Sequence, residues 1–172
     1  MEKKLELRDV AGYLPYGLHC LNCDDCIEEI DFCNVGNLIR GIELQDDAED
    51  DEWVASQQYK PVLRPVSDLY KPIQHNGKEE IPIMECAEIS IPGKKWRHSK
   101  FSKCAWSEDR EIEFSTDDGE FYLYLNNQGK PSFIKNQYKV FDYLHSRFID
   151  YRNLIDAGLA VSCYDIETNP YK

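Results

Sequence analysis

Residues Asn136 to Tyr164, NQYKVFDYLHSRFIDYRNLIDAGLAVSCY, carry the strongest periodic signal in the chain. At about 100° per residue, Val140, Phe141, Leu144, Phe148, Tyr151 and Ile155 gather in one apolar arc. Lys139, Asp142, His145, Ser146, Asp150, Arg152, Asn153 and Asp156 fill most of the opposite side. Ile149 projects away from the arc, as a lone surface residue, a second buried face or an oligomer contact. Asn136 suits an N-cap, and Gly158 suits the C′ position, with Leu159 folding back on the last turn. The stretch predicts one long helix, a tight turn and a short strand over Leu159 to Cys163. A helix with a single apolar stripe needs a layer to cover, and the residues upstream read as sheet and loop.

That upstream part contains several hairpin signals. Leu7, Val10, Ala11 and Leu14 space a short helix that runs to Tyr13 and stops before Pro15. After a Tyr16-Gly17 turn, Leu18 to Cys23 and Cys26 to Val35 read as strands joined by Asp24-Asp25, and Asn37 to Leu44 as a third strand of a meander. Residues 56–77 are irregular, broken by Pro61, Pro65 and Pro72, with one helical turn over Ser67 to Tyr70. His75-Asn76-Gly77 is a turn into Glu80 to Ile91, read as a strand whose period slips near Met84-Glu85. Glu111 to Ser115 and Glu120 to Leu125 form a hairpin around Asp118-Gly119, and Ser132 to Ile134 follows a polar turn. The fold class is therefore α+β: antiparallel hairpins and a meander packed against one main C-terminal amphipathic helix, in a single domain over residues 1–172.

Charge is the second constraint. The chain carries 32 Asp and Glu against 20 Lys and Arg. Residues 1–60 hold fifteen acids and five bases, a net of −10, and the remainder holds seventeen against fifteen, a net of −2. Such a field repels nucleic acid and anionic membrane and attracts a basic protein partner. Its densest part is the acidic loop near 45–53, where Asp46, Asp47, Glu49, Asp50, Asp51 and Glu52 supply six acids in seven residues. Calcium ligation does not fit that run, which lacks the alternating ligands and central Gly of an EF-hand. It reads as a solvated, partner-facing loop, with Trp53 returning the chain to the core. No run of roughly eighteen apolar residues marks a membrane span, and MEKKLELRDV lacks the apolar centre of a signal peptide, so the expected location is the cytoplasm.

Two local clusters offer alternative chemistry. His19-Cys20-Leu21-Asn22-Cys23-Asp24-Asp25-Cys26, with Cys33 seven residues on, has thiols at zinc-like spacing. Cys20, Cys23, Cys26 and Cys33 are the candidate Zn2+ ligands. Against this, side chains alternate along a strand, which sends Cys20 and Cys23 to opposite faces, and an iron–sulfur pattern fails because Ile30 stands where the next Cys belongs. The preferred reading has no cofactor, and the lone Cys86, Cys104 and Cys163 read as small buried hydrophobes. The segment Pro92 to Trp106 places Lys94, Lys95, Arg97, Lys100 and Lys103 among Trp96, Phe101 and Trp106, the mixture that holds phosphates and stacks bases. No catalytic motif is found: no His-Glu-x-x-His, nucleophile elbow, P-loop or dinucleotide fingerprint. His98 reads as part of the basic surface and His145 as solvated.

Leu14-Pro15-Tyr16-Gly17-Leu18, Leu63-Arg64-Pro65-Val66-Ser67-Asp68-Leu69 and Phe141 to Val161 resemble stretches of small uncharacterised proteins encoded by Bacteroidetes and by their phages and mobile elements. The resemblance implies a phage or mobile-element accessory protein and carries no activity with it. Together these readings predict a non-enzymatic interaction protein that binds a partner through its acidic first third. The alternative is a small nucleic-acid-binding or zinc-stabilised module.

Overall fold

The computed structural model describes residues 4–22, 24–31, 35–36, 38–39, 59–117, 120–125, 130–134 and 136–172. The chain is α+β, and its described part groups into two compact units. The first unit takes Met1–Pro65 with Arg152–Pro170, and the second takes Val66–Tyr151 with Tyr171–Lys172.

In the first unit, helix α1 (Leu7–Val10) is a single turn. The Glu6 N–H donates to Asp9 Oδ2 at 3.1 Å, and Arg152 Nη1 donates to the other carboxylate oxygen at 2.9 Å. A 3-10 turn over Leu14–Tyr16 carries Pro15 where its missing N–H is harmless, and Gly17 closes it at φ 78°. Gly17 is doubly constrained, since a Cβ there would also lie 2.7 Å from Glu29 Oε1. Strands β1 (His19–Leu21) and β2 (Ile27–Glu29) pair antiparallel, with Cys20 opposite Glu28. The expected two-residue loop is in fact five residues long, organised by Asn22. Its Oδ1 accepts from the N–H groups of Asp24 and Cys26 at 3.0 and 2.9 Å, and its Nδ2 donates to Glu28 at 2.7 Å. The other edge of β1 pairs with β3 (Lys60–Leu63), and of the third meander strand expected at 37–44 only residues 38–39 are described. Residues 38–39 are helical, as are 35–36 at the end of the expected second strand, and the rest of that span, with Trp53, lies outside the described residues. The last strand of the chain, β11 (Val161–Ser162), pairs parallel with β3, which gives a four-stranded order β11-β3-β1-β2. Val10, Tyr13, Leu18, Cys20, Val62, Leu63 and Leu154 are fully buried.

The second unit opens with a 3-10 turn over Val66–Tyr70, where a helical turn is expected. A small hairpin follows, β4 (Ile73–His75) and β5 (Lys78–Glu80), with Asn76 and Gly77 both at positive φ, as a type I′ turn requires. The expected strand over 80–91 is instead helix α2 (Pro82–Ser90). Pro82 sits at its first turn, and Ile83, Cys86, Ala87 and Ser90 line its buried face at i, i+3, i+4 and i+7. The slip in period near Met84 is the helical repeat. Strands β6 (Trp96–His98), β7 (Cys104–Ser107), β8 (Ile112–Asp117), β9 (Glu120–Leu125) and β10 (Lys130–Phe133) form an antiparallel meander in sequence order.

Helix α3 (Gln137–Ser146) packs against α2 and, through Phe141, edge-on against Phe121 of β9 at 5.9 Å. It is half the length the periodicity predicts. The helix ends in a Schellman motif: the Phe148 N–H donates to the His145 carbonyl and the Ile149 N–H to the Leu144 carbonyl, both at 3.0 Å. Phe148 occupies the left-handed position at φ 57°, and Leu144 and Ile149, the apolar pair that accompanies such a cap, are both fully buried. Ile149 is therefore core, not surface, and Asp150, expected on the polar arc, is 2% exposed. A second motif of the same kind closes at Gly158, whose N–H reaches the Ile155 carbonyl while Leu159 N–H reaches that of Leu154, each at 2.9 Å. The fold-back read from Gly158 and Leu159 is thus present. Asn136 does begin α3, yet its side chain donates to the Ile89 carbonyl and makes no cap bond.

Candidate functional site

Dividing the charges between the two units sharpens the asymmetry read from sequence. The first unit holds eighteen Asp and Glu against seven Lys and Arg, a net of −11, and the second holds fourteen against thirteen, a net of −1. Nearly all of the net charge therefore belongs to one unit. The acidic run Asp46, Asp47, Glu49, Asp50, Asp51 and Glu52 lies within it in sequence, outside the described residues.

What the first unit does present is a cleft of about 390 Å³ beside the β1–β2 hairpin. Leu21 and Ile27, the pair that closes the hairpin, and Ile166 give it apolar walls. Asp25, Asp165 and Glu167 supply three carboxylates, with no lysine or arginine among the described lining residues. Asp25 is held at φ 57° in the loop that Asn22 organises, and Asp165 follows β11 in a turn closed by its N–H to the Ser162 carbonyl at 2.9 Å. An apolar floor beneath carboxylates accommodates a lysine or arginine side chain, whose stem is aliphatic and whose head is cationic. Sequence reasoning finds Asp25 only as a turn residue and misses Asp165 and Glu167. They lie some 140 positions further on and reach the hairpin only because β11 joins β3.

Two of the four candidate zinc thiols are described, one buried and one exposed. Cys20 is fully buried, and desolvation, with Glu28 adding to it, pushes its thiol far above the ordinary range. Cys26 is exposed, its Sγ 3.6 Å from the Asp24 carbonyl. Cys23 and Cys33 lie outside the described residues. Among the described residues no group of three or more His, Cys, Asp or Glu is placed to hold a metal ion.

The basic segment is distributed over both faces of β6. Trp96 points inward and is 9% exposed, while Arg97 points outward and pairs with Glu108. Lys94 lies 2.5 Å from Asp109 and 3.4 Å from Glu111, and the Lys94 hydrogen bond, followed by that of Ser107, holds the Asp109 carboxyl well below its usual range. Lys95, Lys100 and Lys103 are exposed, and Phe101, 87% exposed, lies beneath the Lys100 ammonium at 4.9 Å. Arg110 caps the Trp106 ring at 4.6 Å. His98 is not part of that surface: it is half-buried, with Nδ1 2.9 Å from the Cys104 carbonyl and Nε2 2.8 Å from that of Tyr70.

One buried charge cluster gives no sequence signal. Glu80, its side chain 2% exposed, accepts from Tyr143 OH at 2.9 Å and from Arg147 Nε, and lies 3.4 Å from Lys78. Burial opposes its ionisation, but the Arg147 and Tyr143 hydrogen bonds outweigh that and lower its pKa from the ordinary value. With these partners the carboxylate is committed to tying β5 to α3. His145 is likewise engaged, Nε2 to Tyr151 OH at 2.9 Å. No helix among the described residues is long and apolar enough to cross a membrane. No protein-family model, curated protein or solved structure matches the chain.

Proposed function

We propose that this is a non-enzymatic interaction protein, an accessory protein of phage or mobile-element type acting in the cytoplasm, whose first unit binds a basic partner protein. The observation that carries the reading is the partition of charge, −11 on one unit and −1 on the other. Selection for solubility alone spreads charge over a surface. Charge concentrated on one unit instead creates a directed field, which raises the encounter rate with a cation and fixes the orientation of approach. The cleft between Asp25, Asp165 and Glu167 supports the same reading, since it offers a partner lysine or arginine both apolar contact and opposite charge.

A direct test uses a defined probe, a short arginine-containing peptide, titrated into labelled protein while amide resonances are followed. Saturable shifts at Leu21, Asp25, Ile27 and residues 165–168, lost in an Asp25→Asn, Asp165→Asn, Glu167→Gln variant, support the proposal. Shifts unaffected by that variant overturn the cleft as the contact. Replacing Asp46, Asp47, Glu49, Asp50, Asp51 and Glu52 with Asn or Gln separately tests steering: association slows and its salt dependence flattens.

A second reading, nucleic-acid binding by residues 92–106, is favoured only by the exposed Phe101 between Lys100 and Lys103. With Trp96 buried and Lys94 and Arg97 paired to acids, affinity at physiological salt is no tighter than the ~10⁻⁴–10⁻⁶ M of non-specific contact. Submicromolar binding of one oligonucleotide class would promote it. Near-stoichiometric zinc, lost in a Cys23→Ser, Cys26→Ser variant, would do the same for the metal alternative.

A further inference from the structure

Strand β6 is an edge of the five-stranded sheet, and among the described strands only β7 pairs with it. The Glu108 N–H donates to the Lys95 carbonyl at 2.8 Å, and this bond sets the phase of the β6–β7 ladder. Lys95 and Arg97 therefore turn their main-chain groups toward β7, and Trp96 and His98 turn theirs outward. Those outward N–H and C=O groups have no hydrogen-bond partner among the described residues. Helix α2 packs on β6, β7 and β8 together, so it covers a face of the sheet and does not extend the ladder. The edge at the other end is blunted, because β10 carries Pro131, which has no N–H to donate. Lys95 and Arg97, both exposed, flank Trp96, and Lys100 and Lys103 stand exposed in the turn to β7. Glu108 pairs with Arg97, whereas Lys95, Lys100 and Lys103 make no ion pair among the described residues.

We infer that the β6 edge takes up an extended, acidic segment of a partner protein as an added strand. Main-chain hydrogen bonds exchanged with Trp96 and His98 supply the affinity. A carboxylate opposite Arg97, with Lys95 diagonal to it, supplies the selection. A second copy of this chain does not fit the same edge. Antiparallel self-pairing through Trp96 and His98 sets Arg97 against Arg97 or Lys95 of the other copy, and like charges directly opposite are destabilising. The basic side chains thus guard the edge against its own kind and leave it open to an acidic strand. The partner's charge is opposite to that sought by the first unit, so the two proposals have separate probes and stand or fall separately.

The test titrates the intact chain with three end-capped peptides and follows its amide resonances. They are Glu-Val-Glu-Val-Glu, the same peptide methylated on both valine nitrogens, and Lys-Val-Lys-Val-Lys. The expected result for the first is saturable shifts along Lys95 to His98, with a dissociation constant of about 1 mM. At saturation amide exchange slows at Trp96 and His98 and is unchanged at Arg97, whose N–H faces β7. The methylated peptide keeps the charge and loses the donors, so its binding is at least about tenfold weaker. The lysine peptide is about fivefold to tenfold weaker, and a Lys95→Gln, Arg97→Gln variant, both positions exposed, removes that difference. Equal binding of the methylated peptide, equal binding of the lysine peptide to the wild type, or shifts without slowed exchange at Trp96 and His98 would each overturn the inference. So would the absence of shifts at about ten times the expected dissociation constant.

Discussion

Replacing Phe148 by glycine should harm the protein less than replacing it by alanine, against the usual order of the two. Phe148 does two things. Its ring is 3% exposed and stacks on Tyr171, with centroids 3.9 Å apart and planes 10° from parallel. Its backbone meanwhile holds the left-handed C′ position that ends α3, at φ 57°. Either substitution removes the ring, for about 3–5 kcal/mol, a large share of the ~5–15 kcal/mol available to a domain. Alanine keeps the Cβ penalty of the left-handed conformation, about 1–2 kcal/mol, whereas glycine does not. Glycine adds up to about 1 kcal/mol through the entropy of the unfolded chain. The balance leaves Phe148→Gly the more stable by up to about 1 kcal/mol. At an ordinary helical position it would be the less stable by a similar amount. Urea unfolding followed by Trp96 and Trp106 fluorescence, in a Trp53→Phe background, reports on the second unit, where both of those tryptophans lie. A glycine variant clearly less stable than the alanine variant, at equal m-values, would refute the Schellman account and restore the continuous helix.

Three further outcomes follow from the same geometry. Asp150→Ala should cost more than about 1 kcal/mol, since the residue is 2% exposed, and a loss within roughly 0.5 kcal/mol would return it to the solvated face. Asn22→Ala should cost about 1–2 kcal/mol, because one side chain makes three hydrogen bonds that hold the hairpin loop, and amide exchange at Asp24 and Cys26 should accelerate. Because the folded-state pKa of Glu80 is lowered from its ordinary 4.5, its contribution is present above that pH and lost as the pH falls below it. Glu80→Gln should therefore weaken the acid dependence of stability below about pH 4.5, and an unchanged acid limb would show that Glu80 is not the group responsible.

Local chemistry is legible in the sequence, and long-range chemistry is not. Asn76-Gly77 marks a turn because few residues other than glycine and asparagine tolerate positive φ, and Gly158 announces its own cap for the same reason. Phe148 in the same conformation announces nothing: the buried Leu144 and Ile149 and the Tyr171 stack hold it there, and a helical wheel carries the helix straight through it. Over residues 80–91 the alternation of Ile81, Ile83, Ile89 and Ile91 suggests a strand. The buried set at helical spacing and Pro82 in the first turn are the stronger signal. The candidate site divides in the same way. Its charge asymmetry is plain in composition, but the meeting of Asp25 with Asp165 and Glu167 depends on a parallel pairing between strands nearly one hundred residues apart. No local pattern encodes that pairing.

The central claim is that the acidic first unit is a recognition surface and not only a solubilising one. The most direct measurement is the peptide titration of wild-type protein against the Asp25→Asn, Asp165→Asn, Glu167→Gln variant, each at low and physiological salt. The account predicts saturable shifts confined to the hairpin loop and residues 165–168, weakening as salt rises and absent from the variant. Shifts of equal size in wild type and variant, or spread over both units without saturation, would contradict it.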